Sequence, residues 1–163
     1  MNITFKGKNV TLEGNEVKVG DTAPDFNLTG NDLMNVSLKD TSGKRIFVVV
    51  PSVDTPVCDR EIRRFNEEAA KLDDVSIYVI SMDLPFAQMR WCGAAGVDKV
   101  KTLSDYKNRD FGKNYGTYIK EVGLLARSIF VVDENNKVTY AEYCSEVSSD
   151  PDYDGALNAV KSL

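Results

Sequence analysis

The chain contains no histidine. That excludes hydrolases that pair serine or cysteine with an imidazole, histidine-ligated haem and most zinc enzymes. Cysteine is scarce too: Cys58, Cys92 and Cys144 are the three present, with no Cys-x-x-Cys pair. Three is odd and too few for a stapled secreted framework, and the spacing is too wide for a zinc site. No metal or cofactor is therefore expected, and each cysteine is either a small core residue or a reactive thiol. No stretch approaches the ~18 apolar residues that span a bilayer. Met1–Lys6 is too short and polar for the apolar core of a secretory signal, so a cytoplasmic protein is expected. Basic tracts are missing as well. The net charge is −5, and the densest basic run, Arg60–Arg64, is broken by Glu61 and Ile62, which reads as a solvated helix face rather than a nucleic-acid contact. Repeats, low-complexity tracts and Pro/Ser-rich linkers are absent, so residues 1–163 are expected to form one domain.

What is present is an ordinary globular balance of 42% hydrophobic and 28% charged residues. Ile3 and Phe5, a turn at Gly7–Asn9, then Val10 and Leu12 predict an N-terminal β-hairpin. Phe26 and Leu28, then Val36 and Leu38, are short strand candidates around the Gly30–Asp32 turn. Three continuous apolar runs, Ile46–Val50, Val75–Ile80 and Ser128–Val132, have the pattern of strands buried on both faces. The last is followed by a turn signal at 133–136 and by Lys137–Tyr143, which predicts a hairpin. Ile62, Phe65, Ala69 and Leu72 recur at helical steps. Shorter helices are predicted from Pro85 to about Cys92, over Asp105–Tyr115, and from about Asp152 to Val160. The alternation implies an α/β fold: a central mixed sheet with helices on both faces.

The first core strand leads through Pro51-Ser52-Val53-Asp54-Thr55-Pro56-Val57 to Cys58. Thr55 is a good N-cap, and Pro56 suits the first helical position. Cys58 then lies in the first turn, where free N–H groups and the helix dipole favour an anion. A free thiol is only a few per cent ionised at neutral pH, and the thiolate is the reacting form. A small buried cysteine is the plain alternative, but cap, proline, strand end and first-turn position all favour a reactive one.

Pro51-x-x-x-Thr55-x-x-Cys58 resembles the active-site signature of the peroxiredoxins. Ser81-x-Asp83-Leu84-Pro85-Phe86-Ala87-Gln88-x-Arg90-x-Cys92, Leu124-Leu125-Ala126-Arg127 and the N-terminal hairpin are similar to the bacterial thiol peroxidase branch, an atypical two-cysteine group. The likeness covers nearly the whole chain. Pro56 departs from it, standing where most of that branch has glycine, although other peroxiredoxins carry Thr-Pro here. The resemblance implies a thioredoxin-like fold and a thiol-dependent peroxidase acting on hydrogen peroxide and organic hydroperoxides. It implies that Cys58 attacks the peroxide, Thr55 hydrogen-bonds the thiolate and peroxide oxygens, Arg127 stabilises the developing charge and Pro51 shields the site. By position alone Arg127 reads as a surface residue at a strand edge, and Thr55 as a cap.

A sulfenic acid on Cys58 needs a second thiol before irreversible oxidation. Cys92, beside Gly93 and Gly96 at a helix end, is the candidate for an intramolecular disulfide, and both thiols are expected near one end of the sheet. Thioredoxin as reductant and a homodimer are implied by the resemblance. Trp91 and Met89 beside Cys92 read as helix packing, or as a dimer contact. Cys144 has no partner and reads as a spare thiol. A redox sensor or a thiol–disulfide oxidoreductase of the same fold is the alternative function, the latter disfavoured by the missing Cys-x-x-Cys.

Overall fold

The computed structural model describes all residues from Met1 to Leu163. In chain order the strands and helices are β1 (Ile3–Phe5), β2 (Lys8–Val10), β3 (Leu12–Glu13), β4 (Asn27–Thr29), β5 (Asn35–Ser37), β6 (Lys44–Val49), α1 (Pro56–Ala69), β7 (Val75–Ser81), α2 (Pro85–Ala95), β8 (Lys101–Ser104), α3 (Asp110–Asn114), β9 (Tyr118–Ile119), β10 (Leu124–Leu125), β11 (Ser128–Val132), β12 (Val138–Tyr143) and α4 (Tyr153–Lys161). A seven-stranded sheet runs β12-β11-β6-β7-β8-β4-β5, with β6, β7 and β8 mutually parallel and the outer strands antiparallel. A small sheet, β10-β9-β3, and the β1-β2 hairpin close one flank. This is the expected mixed sheet of a thioredoxin-like fold.

The apolar runs split by parity, as a buried strand requires. Ile46, Val48, Ile77, Val79, Ile129 and Val131 face α1 and α4, where they meet Ile62, Phe65, Leu157 and Val160. Phe47, Val49, Tyr78, Ile80, Phe130 and Val132 face the other way, onto Phe26, Phe111 and Tyr115. Phe47 centres that second layer: its ring lies edge-on to Phe26 at 5.6 Å and to Tyr115 at 6.2 Å between centroids.

Three expectations need correction. The hairpin turn is Lys6–Gly7, not 7–9, with Phe5 opposite Lys8. Both turn residues have positive φ (52° and 78°), the two-residue turn whose twist matches paired strands. The helix expected over 105–115 is confined to Asp110–Asn114, because the buried Asp105 carboxylate accepts the N–H groups of Phe111 and Gly112 at 3.1 and 2.8 Å and anchors the helix start from outside. Strand β8 was not anticipated, since Lys101, Thr102 and Ser104 leave one aliphatic residue in four.

Register fixes what reaches the functional end. Ser128 pairs with Val49, so Arg127 arrives level with the residue that follows β6, where the chain turns toward α1. Loss of the Phe47 ring should cost about 3–5 kcal/mol as Phe47→Ala, read from urea unfolding of the reduced protein; a loss below about 1 kcal/mol would contradict the layer described.

Candidate active site

Thr55 caps α1, its hydroxyl oxygen accepting the Cys58 N–H at 3.2 Å, and Pro56 opens the helix. The Thr55 hydroxyl in turn lies 3.4 Å from the Ser52 carbonyl that can accept its proton. The loop before the cap is held from β7. Asp83 accepts from the Ser52 hydroxyl and the Val53 N–H, both at 2.8 Å, and from the Ser81 hydroxyl at 2.7 Å. Gln88 steadies Ser81 at 3.0 Å and the Leu103 carbonyl at 2.9 Å. The Ser81–Gln88 motif is thus a brace that sets where Pro51, buried at the strand end, and Thr55 stand.

Cys58 and Arg127 come together. Both are buried, and Arg127 Nη2 donates to Cys58 Sγ at 3.1 Å. Arg127 Nε donates to the Val147 carbonyl at 2.8 Å, and Nη1 donates to Glu61 Oε2. The surface reading of Arg127 is therefore wrong. So is that of Glu61, which is 0% exposed on the face of α1 that also carries Cys58, Ile62 and Phe65. In the sequence Glu61 is masked by the arginines on either side of it, Arg60, Arg63 and Arg64. Its signal was a carboxylate three residues after Cys58 and four before Phe65, on the apolar stripe.

Burial pushes the Cys58 thiol up, while the Arg127 charge, the Thr55 hydroxyl and the Ser52 backbone pull it down. The net direction in this closed arrangement is upward, against the expectation from helix position alone. Burial raises Glu61 to about 8 against the pull of Arg127. Arg127 stays charged: burial opposes its charge, but Glu61 and Cys58 raise it overall.

Cys92 is half-buried on the last turn of α2, and Gly96 ends that helix in the left-handed region (φ 67°). Its Sγ lies 3.9 Å from Thr102 Oγ1, and it lines a cavity of about 430 Å³ with Asn31, Val97, Val100 and Thr102. Cys58 stands at the carboxyl end of β6, whereas Cys92 lies seven residues into α2, about 10 Å along the helix from that end of the sheet. The expected common end is thus not what the resting fold presents, and all three cysteines are free thiols. Between the two lies a direct tie, Trp91 Nε1 donating to Asp59 Oδ1 at 3.0 Å. Arg63 adds to it, donating to Asp59 Oδ2 at 2.9 Å and to the Ala95 carbonyl at 3.1 Å. Cys144 is buried and pushed up to about 12 by burial and by Glu142 and Glu61, as suits an unreactive thiol.

Comparison with known proteins matches residues 18–157 to the redoxin family. The thiol peroxidase of Clostridium acetobutylicum is 62% identical over 162 residues, covering 99% of each chain. That of Bacillus subtilis is 61% identical over 162 residues, covering 99% of this chain and 97% of the other. The crystal structure of a peroxiredoxin-like protein from Aquifex aeolicus matches with TM-score 0.92 at 40% identity, over 99% of this chain and 96% of that one.

A carboxyl group whose pKa is raised by folding contributes stability that is complete below its unfolded pKa and lost as pH rises through its folded value. For Glu61 that window is from 4.5 to about 8, and for Asp105, raised by burial, from 3.8 to about 6. Glu61→Gln should flatten the fall in urea midpoint between pH 6 and 8 and lessen it between 4.5 and 6, leaving the share that belongs to Asp105. Parallel slopes in both proteins would remove Glu61 from this account.

Proposed function

The chain belongs to the redoxin family and, within it, to the thiol peroxidases, and from that premise we propose that it reduces hydroperoxides with Cys58 as the attacking sulfur. The observation that carries this reading is the guanidinium of Arg127 at 3.1 Å from Cys58 Sγ on the first turn of α1. The thiolate attacks the distal oxygen of the peroxide, the O–O bond breaks, and sulfenic acid and an alkoxide or hydroxide result, the latter taking up a proton to leave as alcohol or water. Arg127 and the N–H groups of the first turn stabilise the anion in both thiolate and transition state. Thr55 orients the peroxide through the hydroxyl that now caps the helix, and Pro51 keeps bulk water and competing thiols away. Entry of a polar substrate relieves the burial that holds the thiol up, leaving the cationic influence dominant.

Cys92 resolves the sulfenic acid by forming an intramolecular disulfide, which thioredoxin reduces. A disulfide needs Cα atoms within about 7 Å, so the first turn of α1 and the last turn of α2 must loosen together. The Asp59–Trp91 tie joins the residue after Cys58 to the residue before Cys92, and is the contact this opening breaks. A homodimer suits the exposed apolar side chains Leu84, at the cap of α2, and Phe86 and Met89 on that helix. A cytoplasmic setting suits three free thiols. No helix is long and apolar enough to cross a membrane.

Stopped-flow consumption of hydrogen peroxide should fall at least about a thousandfold in Cys58→Ser, the scale on which loss of a covalent nucleophile is felt. A variant retaining a tenth of the activity would defeat the assignment. Treatment with one equivalent of peroxide should remove about two hydrogens from the intact mass and change the emission of Trp91, the one tryptophan present. Both changes should vanish in Cys92→Ser; a disulfide-linked dimer formed through Cys92 would make resolution intermolecular instead.

A further inference from the structure

Glu61 is a buried carboxylate that the cycle above leaves without a task. It sits one turn after Cys58, with both side chains turned to Arg127. The guanidinium spends Nε on a neutral carbonyl, Nη1 on Glu61 and Nη2 on Cys58, so one positive charge faces two acids. The second carboxyl oxygen, Glu61 Oε1, is buried and has no hydrogen-bond partner. The other ionisable groups around this pocket add no free cation. They are Glu142 and Cys144 at the end of β12, Asp150 in the loop that follows and Tyr153 on α4. The nearby Arg60 is exposed and paired with Asp150 at 2.8 Å. An unmatched charge in a water-excluded site is strongly disfavoured.

We propose that Cys58 and Glu61 share one negative charge opposite Arg127, through the equilibrium Cys58–SH + Glu61–COO⁻ ⇌ Cys58–S⁻ + Glu61–COOH. Each side carries one proton and one anion, and Arg127 is balanced in both. The orphaned Oε1 fits a carboxyl group that spends part of its time neutral, as does the upward push that burial gives Glu61. During peroxide reduction, Cys58–S⁻ + ROOH gives Cys58–SOH + RO⁻. Transfer of the Glu61 proton to RO⁻ gives ROH and leaves Glu61–COO⁻ on Arg127, so the guanidinium keeps a counter-charge as the sulfur loses its own. This last consequence rests on the peroxidase reading; the shared charge rests on the geometry alone. In the resting pair Glu61 acts on Cys58 through Arg127, and in the proton transfer it acts on the leaving oxygen directly, as a general acid.

The test follows thiolate absorbance against pH in reduced protein lacking the other thiols (Cys92→Ser, Cys144→Ser), with and without Glu61→Gln. With Glu61 present, thiolate should develop in two linked steps that belong to the pair. In Glu61→Gln it should develop in one step, complete at a pH lower by about one unit or more, and the pH profile of the rate with hydrogen peroxide should move equally. Coincident one-step curves would overturn the proposal. Infrared spectroscopy of the chain with Glu61 intact does not depend on how the variant folds. Wherever thiolate absorbance is present below the second step, the carbonyl stretch of a buried carboxylic acid should accompany it and then disappear through that step. Thiolate without that band would overturn the shared charge. Loss of peroxidase activity with both signatures intact would instead count against the peroxidase reading alone.

Discussion

A single guanidinium organises the functional end of this protein. Arg127 is 1% exposed and reaches three groups from two parts of the chain: Cys58 and Glu61 on α1, and the Val147 carbonyl beyond β12. Arginine suits this task where lysine would not, because its planar fork satisfies several acceptors at fixed angles and stays charged when buried. Such a buried ionic cluster adds little to net stability, since the cost of desolvating its charges offsets their attraction. Its worth is positional: with the fork held by the backbone and by Glu61, the nitrogen next to Cys58 has little freedom to move away.

That arrangement follows from strand register. Strand β11 runs antiparallel to β6 with Ser128 opposite Val49, so the residue before β11 must lie beside the residues after β6. The parallel pair β6 and β7 places Asp83 just beyond the end of β7, where it takes up the Ser52 hydroxyl and the Val53 N–H of the approaching loop. Two distant segments are therefore brought to one sulfur by the sheet, and the Thr55 cap needs only to turn the helix start toward them.

Much of this was legible in the chain itself, for identifiable reasons. Strands β6, β7 and β11 each carry an unbroken β-branched and aromatic stretch, Ile46–Val49, Ile77–Ile80 and Ile129–Val132, as burial on both faces requires. The start of α1 carried both a cap and a proline. Less legible were features that depend on partners distant in sequence. Strand β8 is largely polar and is a strand because β7 offers it a parallel edge. Asp105 shortened a predicted helix by taking over its first N–H groups. Glu61 looked like one more charge on a solvated face, and only the arrival of Arg127 from across the sheet makes it a buried one.

The same packing that builds the Cys58 site holds Cys92 away from it. Cys58 is sealed in the core cluster with Val50, Val53 and Ile62, whereas Cys92 lies against Thr102 of β8 and lines a cavity with Asn31 and Val100. An arrangement suited to attack on a peroxide, with a fixed cation and excluded water, is therefore unsuited to disulfide formation, which needs both helices to give way. In the proposed cycle these demands must alternate, so the closed state can be only modestly favoured over the open one. The elements between the thiols fit that requirement. They are one indole hydrogen bond, an arginine bridge whose charged groups are partly exposed, and a helix end closed by Gly96 rather than by a side chain. Exposed ion pairs contribute about 0–1 kcal/mol each, weak enough to open within a turnover and, with the helix packing behind them, enough to keep the sulfur in place until it is oxidised.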